Sequence, residues 1–98
     1  MNIQAMMKQA QKMQKDMMEA KKEIDEKDFE LTKSFITIKM KGNKNLTEVI
    51  IDSENLEKDD VEMLQDLIVV ATNELMETID KETEQKMGKF TQGMPGLF

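Results

Sequence analysis

The sequence predicts an α+β fold: a long N-terminal helix, a three-stranded antiparallel meander and a long C-terminal helix. Three observations carry this. Residues 1–24 hold an unbroken apolar seam at steps of three and four. Residues 28–52 change to alternation of apolar and polar side chains, broken by one Gly/Asn-rich loop. From Asp59 onward the helical period returns, with an apolar side marked as far as Ile79 and polar last turns that carry the helix to Met87.

The first helix is predicted from about residue 2 to about residue 25. Ile3, Met6, Ala10, Met13, Met17, Ala20 and Ile24 form an a/d heptad seam. Neither Pro nor Gly interrupts it, and Ala, Met, Gln, Lys and Glu, all good helix formers, supply most positions. Such a narrow stripe calls for a partner helix. Its methionines raise the thought of soft-metal ligation, but no His or Cys stands nearby, and seam spacing makes adaptable packing the better account.

With Ile3 at position a, Lys8, Lys15 and Lys22 fall at f, opposite the seam, Lys12 at c and Lys21 at e. One reading is a solvated face in which Lys12 pairs with Asp16 and Lys15 with Glu19. The other is a basic stripe for phosphates, with cations about 10 Å apart along the axis at about 1.5 Å per residue. On pattern alone the solvated face is the simpler reading.

Phe29 and Leu31 alternate with Asp28, Glu30 and Thr32 in a short strand. Ile36, Ile38 and Met40 share one face of a second strand, with Thr37, Lys39 and Lys41 on the other. Gly42 to Asn45 reads as a hairpin loop tolerant of positive φ. Leu46 to Asp52 makes the third strand, with Val49 and Ile51 on one face. The apolar side of this meander needs a helix over it.

Asp59 is the expected N-cap of the second helix, with Glu62 completing a capping box. Val61, Leu64, Leu67, Ile68, Ala71, Leu75 and Ile79 mark its inner side. Val69 and Val70 make it apolar nearly all round for a turn, which points to burial between the sheet and a second subunit. Leu64, Leu67, Ile68, Val69, Val70, Ala71 and Leu75 are therefore the expected dimer interface. Gly88 is the expected C′ stop. Lys81, Lys86 and Lys89 near this end have an ordinary role in offsetting the helix dipole. Residues 1–89 are read as a single domain and 90–98, with Gly93, Pro95 and Gly96, as a flexible tail.

The chain has 98 residues, with 14 basic and 20 acidic side chains and a net charge of −6. Every basic residue is Lys. Residues 1–24 carry five Lys against three acids; the rest of the chain carries nine against 17. So small a domain builds a thin core, which an oligomer would supplement. His, Cys, Arg, Trp and Tyr are absent, removing the usual neutral-pH bases, the thiol nucleophile and Arg clamps on phosphate. There is no glycine-rich phosphate loop, no EF-hand pattern and no apolar run long enough to span a bilayer. No enzymatic activity, small-molecule substrate, metal, cofactor or membrane contact is expected, and the cytoplasm is the default location.

Several strings, in order, resemble the YbaB/EbfC family of bacterial nucleoid-associated proteins. Met7 to Gln14 is similar to the family's opening, Val49 to Asp52 to the close of its sheet, and Met63 to Asn73 to the start of its second long helix. Lys86 to Lys89 and the late Pro95-Gly96 resemble its ending. The chain departs from the family in having no Arg and in carrying Lys33-Ser34 where a glycine-rich stretch is common. The resemblance implies a nucleoid-located homodimer with projecting helical arms that binds double-stranded DNA, with a role in transcription or recombination. It implies DNA contacts from helical segments at both chain ends; on those segments the basic stripe makes Lys8, Lys15 and Lys22 the first candidates, supported by Lys12 and Lys21, with Lys81, Lys86 and Lys89 as second choices. The alternative is a small coiled-coil adaptor that grips a partner helix and does not itself bind DNA.

Overall fold

The structure is a computed structural model that describes residues 2–54 and 56–91. Helix α1 spans Ile3–Glu26, strands β1, β2 and β3 span Asp28–Lys33, Ile36–Lys41 and Leu46–Ile51, and helix α2 spans Val61–Thr91 after a 3-10 turn at Lys58–Asp60. The molecule is elongated, 71 × 20 × 14 Å. At about 1.5 Å per residue α1 alone is about 36 Å long, and its first half reaches beyond the sheet with every side chain exposed.

Asn2 starts α1 by accepting a hydrogen bond from the Gln4 N–H (3.1 Å), relieving one unpaired helix donor. The helix ends where Lys27 turns extended and its N–H donates to the Ile24 carbonyl. The strands form an antiparallel meander in the order β1-β2-β3. Phe29 faces Met40 and Leu31 faces Ile38, while Ile36, Ile38 and Met40 are fully buried, as the alternation predicts. The β2–β3 register shifts between Lys39 and Met40, a bulge next to the loop.

Both turns depend on special backbone positions. Ser34 sits at φ 53° in the two-residue β1–β2 turn. In the β2–β3 loop the positive φ falls on Lys44, at 72°, rather than on Gly42 or Asn43. Gly42 has a different duty. A Cβ there would lie 1.6 Å from the Ile24 carbonyl oxygen. The loop thus presses directly on the end of α1, and the Gly42 N–H donates to the Lys27 carbonyl (2.9 Å).

Helix α2 departs from expectation at both ends. The cap lies two residues earlier than Asp59 and Glu62: the Glu57 N–H donates to the Asp60 carboxylate (2.9 Å), and Lys58–Asp60 form a 3-10 turn before Val61. Nor does the helix stop at Gly88; it runs through it to Thr91. Gly within a helix costs about 1 kcal/mol relative to Ala. Burying Met87 and Phe90 where the end of α2 packs along α1 offsets that at roughly 1.5–3 kcal/mol each. Residues 92–98 of the expected tail lie outside the described residues.

α2 covers the sheet from one side, lying across β1 and β2. Ala71, Leu75 and Ile79 meet Phe29, Ile36, Ile38, Met40 and the end of α1 at Ile24 in one core. Among the described residues no polar side chain is buried.

Gly42→Ala should destabilise the fold by about 3 kcal/mol, because backbone rather than a flexible side chain blocks the new methyl. Ser34→Gly should stabilise by about 0.5 kcal/mol, the relief of left-handed strain outweighing the added freedom of the unfolded chain. Urea unfolding monitored by helical circular dichroism measures both.

Candidate functional site

The charges sort themselves between body and arm. Lysines of the sheet are neutralised in place: Lys33 by Glu74 (2.6 Å), Lys39 by Glu30 and Glu48, Lys41 by Asp28 (2.6 Å) and Lys44 by Asp80 (2.6 Å). On α1 the situation reverses. Lys8, Lys12, Lys15 and Lys22 form no ion pair within 4.0 Å among the described residues, and all are exposed. The pairs Lys12–Asp16 and Lys15–Glu19, which helix spacing permits, are not made. A run of free ammonium groups therefore lies along α1, from Lys8 and Lys12 in its outer half through Lys15 to Lys22 near its root.

Where α1 meets the body, the remaining lysines are tied down. Lys21 bonds Asp25, Lys27 bonds Glu82 (2.6 Å) and Lys86 bonds Glu23 (2.8 Å). Lys89 stands over the Phe90 ring, 5.0 Å from its centroid. Of the lysines singled out in sequence, Lys21, Lys86 and Lys89 thus belong to this joint. Lys81, exposed and without an ion pair among the described residues, is the free cation on α2's distal half. The Lys86 hydrogen bond and charge hold the Glu23 carboxyl below its ordinary value of 4.5, with a smaller contribution from Lys89.

A second surface is apolar. Across β2, Ile51 pairs with Ile36, Val49 with Ile38 and Leu46 with Met40, so all three share the face of the buried β2 residues. Yet every residue of β3 is exposed, because α2 does not reach over it. Beside this column Leu64, Leu67 and Ile68 are half-buried against the core, and Val69 is 59% exposed and Val70 49%. Ala71 and Leu75, also expected in a subunit contact, are buried in the core of the chain. The uncovered β3 column escaped sequence reasoning, since alternation tells which face is apolar but not how far a single helix covers it.

Among the described residues no cluster of acids is arranged to hold a metal ion, and no helix is long and apolar enough to cross a membrane. Open surface depressions lie along α1 and at its joint, one of them lined by Glu23, Ile24, Lys27, Glu82 and Lys86.

Residues 1–94 match the YbaB/EbfC DNA-binding family. The chain is 48% identical to a nucleoid-associated protein of Oceanobacillus iheyensis, over 99% of this chain and 97% of the relative. It is 44% identical to one of Enterococcus faecalis, over 98% and 94%, and 41% identical to one of Ligilactobacillus salivarius, over 99% and 95%.

Because Glu23 titrates low when α1 is docked, its pair with Lys86 contributes at and above pH 4.5 and is lost as pH falls through the depressed value. Carboxyl NMR titration should place the Glu23 midpoint below 4.5, and Lys86→Gln should return it toward 4.5.

Proposed function

The chain belongs to the YbaB/EbfC DNA-binding family, and from that premise we propose that it binds double-stranded DNA as a homodimer through phosphate contacts from the α1 lysines. The family is a DNA-binding family and not an enzyme family. The observation that carries the proposal is the contrast between the neutralised lysines of the sheet and its loop and the unpaired run Lys8, Lys12, Lys15 and Lys22. Cations already held by carboxylates gain little from a phosphate. Free ones displace condensed counterions from the duplex, and that release supplies affinity. Lys81 is the best candidate for a contact from α2, whereas Lys21, Lys86 and Lys89 are engaged in the joint and contribute less.

All fourteen basic residues are Lys. An ammonium meets phosphate as a point charge and lacks the fork with which Arg reads guanine. The binding is therefore to the backbone, largely independent of sequence, which fits a protein of the nucleoid in the cytoplasm acting broadly on transcription or recombination.

The dimer contact is best supported at the uncovered column Leu46, Val49 and Ile51 with the neighbouring Leu64, Leu67, Ile68, Val69 and Val70. An apolar sheet face left open along a whole edge strand is unfavourable in water and invites a second copy. Two copies joined there carry two arms, which bind one duplex with the advantage of linkage.

Duplex DNA titrated at several salt concentrations measures the first part. Lys8→Gln, Lys15→Gln and Lys22→Gln together should weaken binding and reduce the slope of log affinity against log salt by about 0.9 for each phosphate no longer neutralised; an unaltered slope would exclude the stripe. Light scattering should give twice the 11.4 kDa subunit mass, and Val69→Asp with Val70→Asp should halve it.

A further inference from the structure

The seam of α1 is only half used. Its last positions are covered by α2: Met17 and Ala20 are partly buried and Ile24 is 2% exposed. Its first positions face water, with Ile3 71%, Met6 53% and Met13 42% exposed. A solvent-exposed helix half has no need of an apolar stripe, and here the stripe continues in register from an interface that is already occupied.

We propose that the open seam, Ile3 to Met13, pairs antiparallel with the same segment of a second copy, joining arm to arm. Three features select this occupant. In the antiparallel a-to-d register centred on Lys8, Ile3 meets Met13, Met6 meets Ala10 and the reverse contacts repeat by symmetry. Each layer therefore sets a larger side chain against an adaptable or a small one. Any register sliding further along α1 demands Met17 and Ala20, which α2 has taken.

The flanks are the second feature. Met7 and Gln9 border the seam at e and g, so no charged side chain borders the paired segment. Lys8 and Lys12 point away at f and c, and like charges do not face each other across the contact. A basic or acidic partner would find nothing beside this seam to recognise, whereas a second copy finds an uncharged match. The third is strength. Three helical turns are marginal alone, and the lysines of two arms repel at a distance. Pairing should thus be weak in dilute buffer, favoured by salt, and favoured further where arms are gathered on one polyanion.

The contact is separate from the body interface proposed above and stands or falls without it. The chain contains no Cys, so Met6→Cys and Ala10→Cys can be introduced at exposed positions and oxidised under mild conditions. A mixture of the two variants should form the covalent pair about tenfold faster than either alone, since only opposed Cβ atoms meet disulfide geometry. The same preference should persist in the Val69→Asp, Val70→Asp background. Equal rates in the mixture and in each variant alone would overturn the proposal, as would protection of both thiols without any gain in mass. As an independent reading, sedimentation at raised salt should show assemblies larger than the body dimer with increasing concentration. Met6→Gln with Met13→Gln should abolish these while leaving helix content unchanged; their persistence would equally overturn it.

Discussion

The architecture depends on one joint, where the end of α1 meets the β2–β3 loop and the last turns of α2. Ile24 inserts into the core there, and the Gly42 backbone approaches its carbonyl closer than any side chain would allow. The Gly42 and Asn43 N–H groups donate to the carbonyls of Lys27 and Asp25, which fastens the loop to the helix exit. From the other side Met87 and Phe90 pack, with Lys27–Glu82 and Lys86–Glu23 bridging the two helices. These exposed ion pairs contribute little energy singly. What they do is fix direction. An arm is useful only if its root is stiff, and here the backbone contact, the apolar plug and the ion pairs all lie within the last turns of α1.

That rigidity gives the charge distribution its meaning. A protein with a net charge of −6 is not drawn to a polyanion as a whole. The body's excess acids, however, are partly engaged by its own lysines, and most of the remainder lie on and before α2. The exposed first half of α1 carries Lys8 and Lys12 away from them, with Lys15 just beyond. At physiological salt the screening length is about 8 Å, so along an arm about 36 Å long the outer lysines act nearly independently of the acidic body. Local charge at the tip, not the overall balance, governs what approaches it.

Elements whose identity rests on periodicity are legible in the sequence. The α1 seam, the Ile36–Ile38–Met40 face and the inner side of α2 all follow from steps of 3.6 or 2, and the structure carries each. Readings that rest on one residue's local preference fare less well. Gly88 suggests a helix end, but burial of Phe90 beyond it overrides the propensity. Asp59 makes a plausible cap, yet it is the neighbouring Asp60 whose carboxylate accepts from the Glu57 N–H. Gly42 reads as a turn residue, whereas close approach is what requires it. At the site, the heptad places the lysines on the helix but does not tell which are free. Lys27–Glu82 spans 55 residues and Lys86–Glu23 spans 63, distances at which helix spacing says nothing. The open β3 column is hidden for a similar reason, because coverage depends on where α2 lies.

The two surfaces proposed for α1, one for phosphate and one for a second arm, lie on opposite sides of one cylinder. Lys8 and Lys15 lie at f, directly across from the a and d positions held by Ile3, Met6, Ala10 and Met13. A helix about 10–12 Å across with its side chains keeps a phosphate on one side apart from an apolar contact on the other, so neither excludes the other sterically. Neutralising the lysines also removes the repulsion between arms. If both proposals hold, occupation of the basic face would favour occupation of the apolar one without any change of shape. By linkage, the proposed arm pairing would in turn present a denser array of cations to a duplex. Met rather than Leu on this seam suits that role, since an adaptable and weakly specifying contact forms where arms are crowded and releases where they are not.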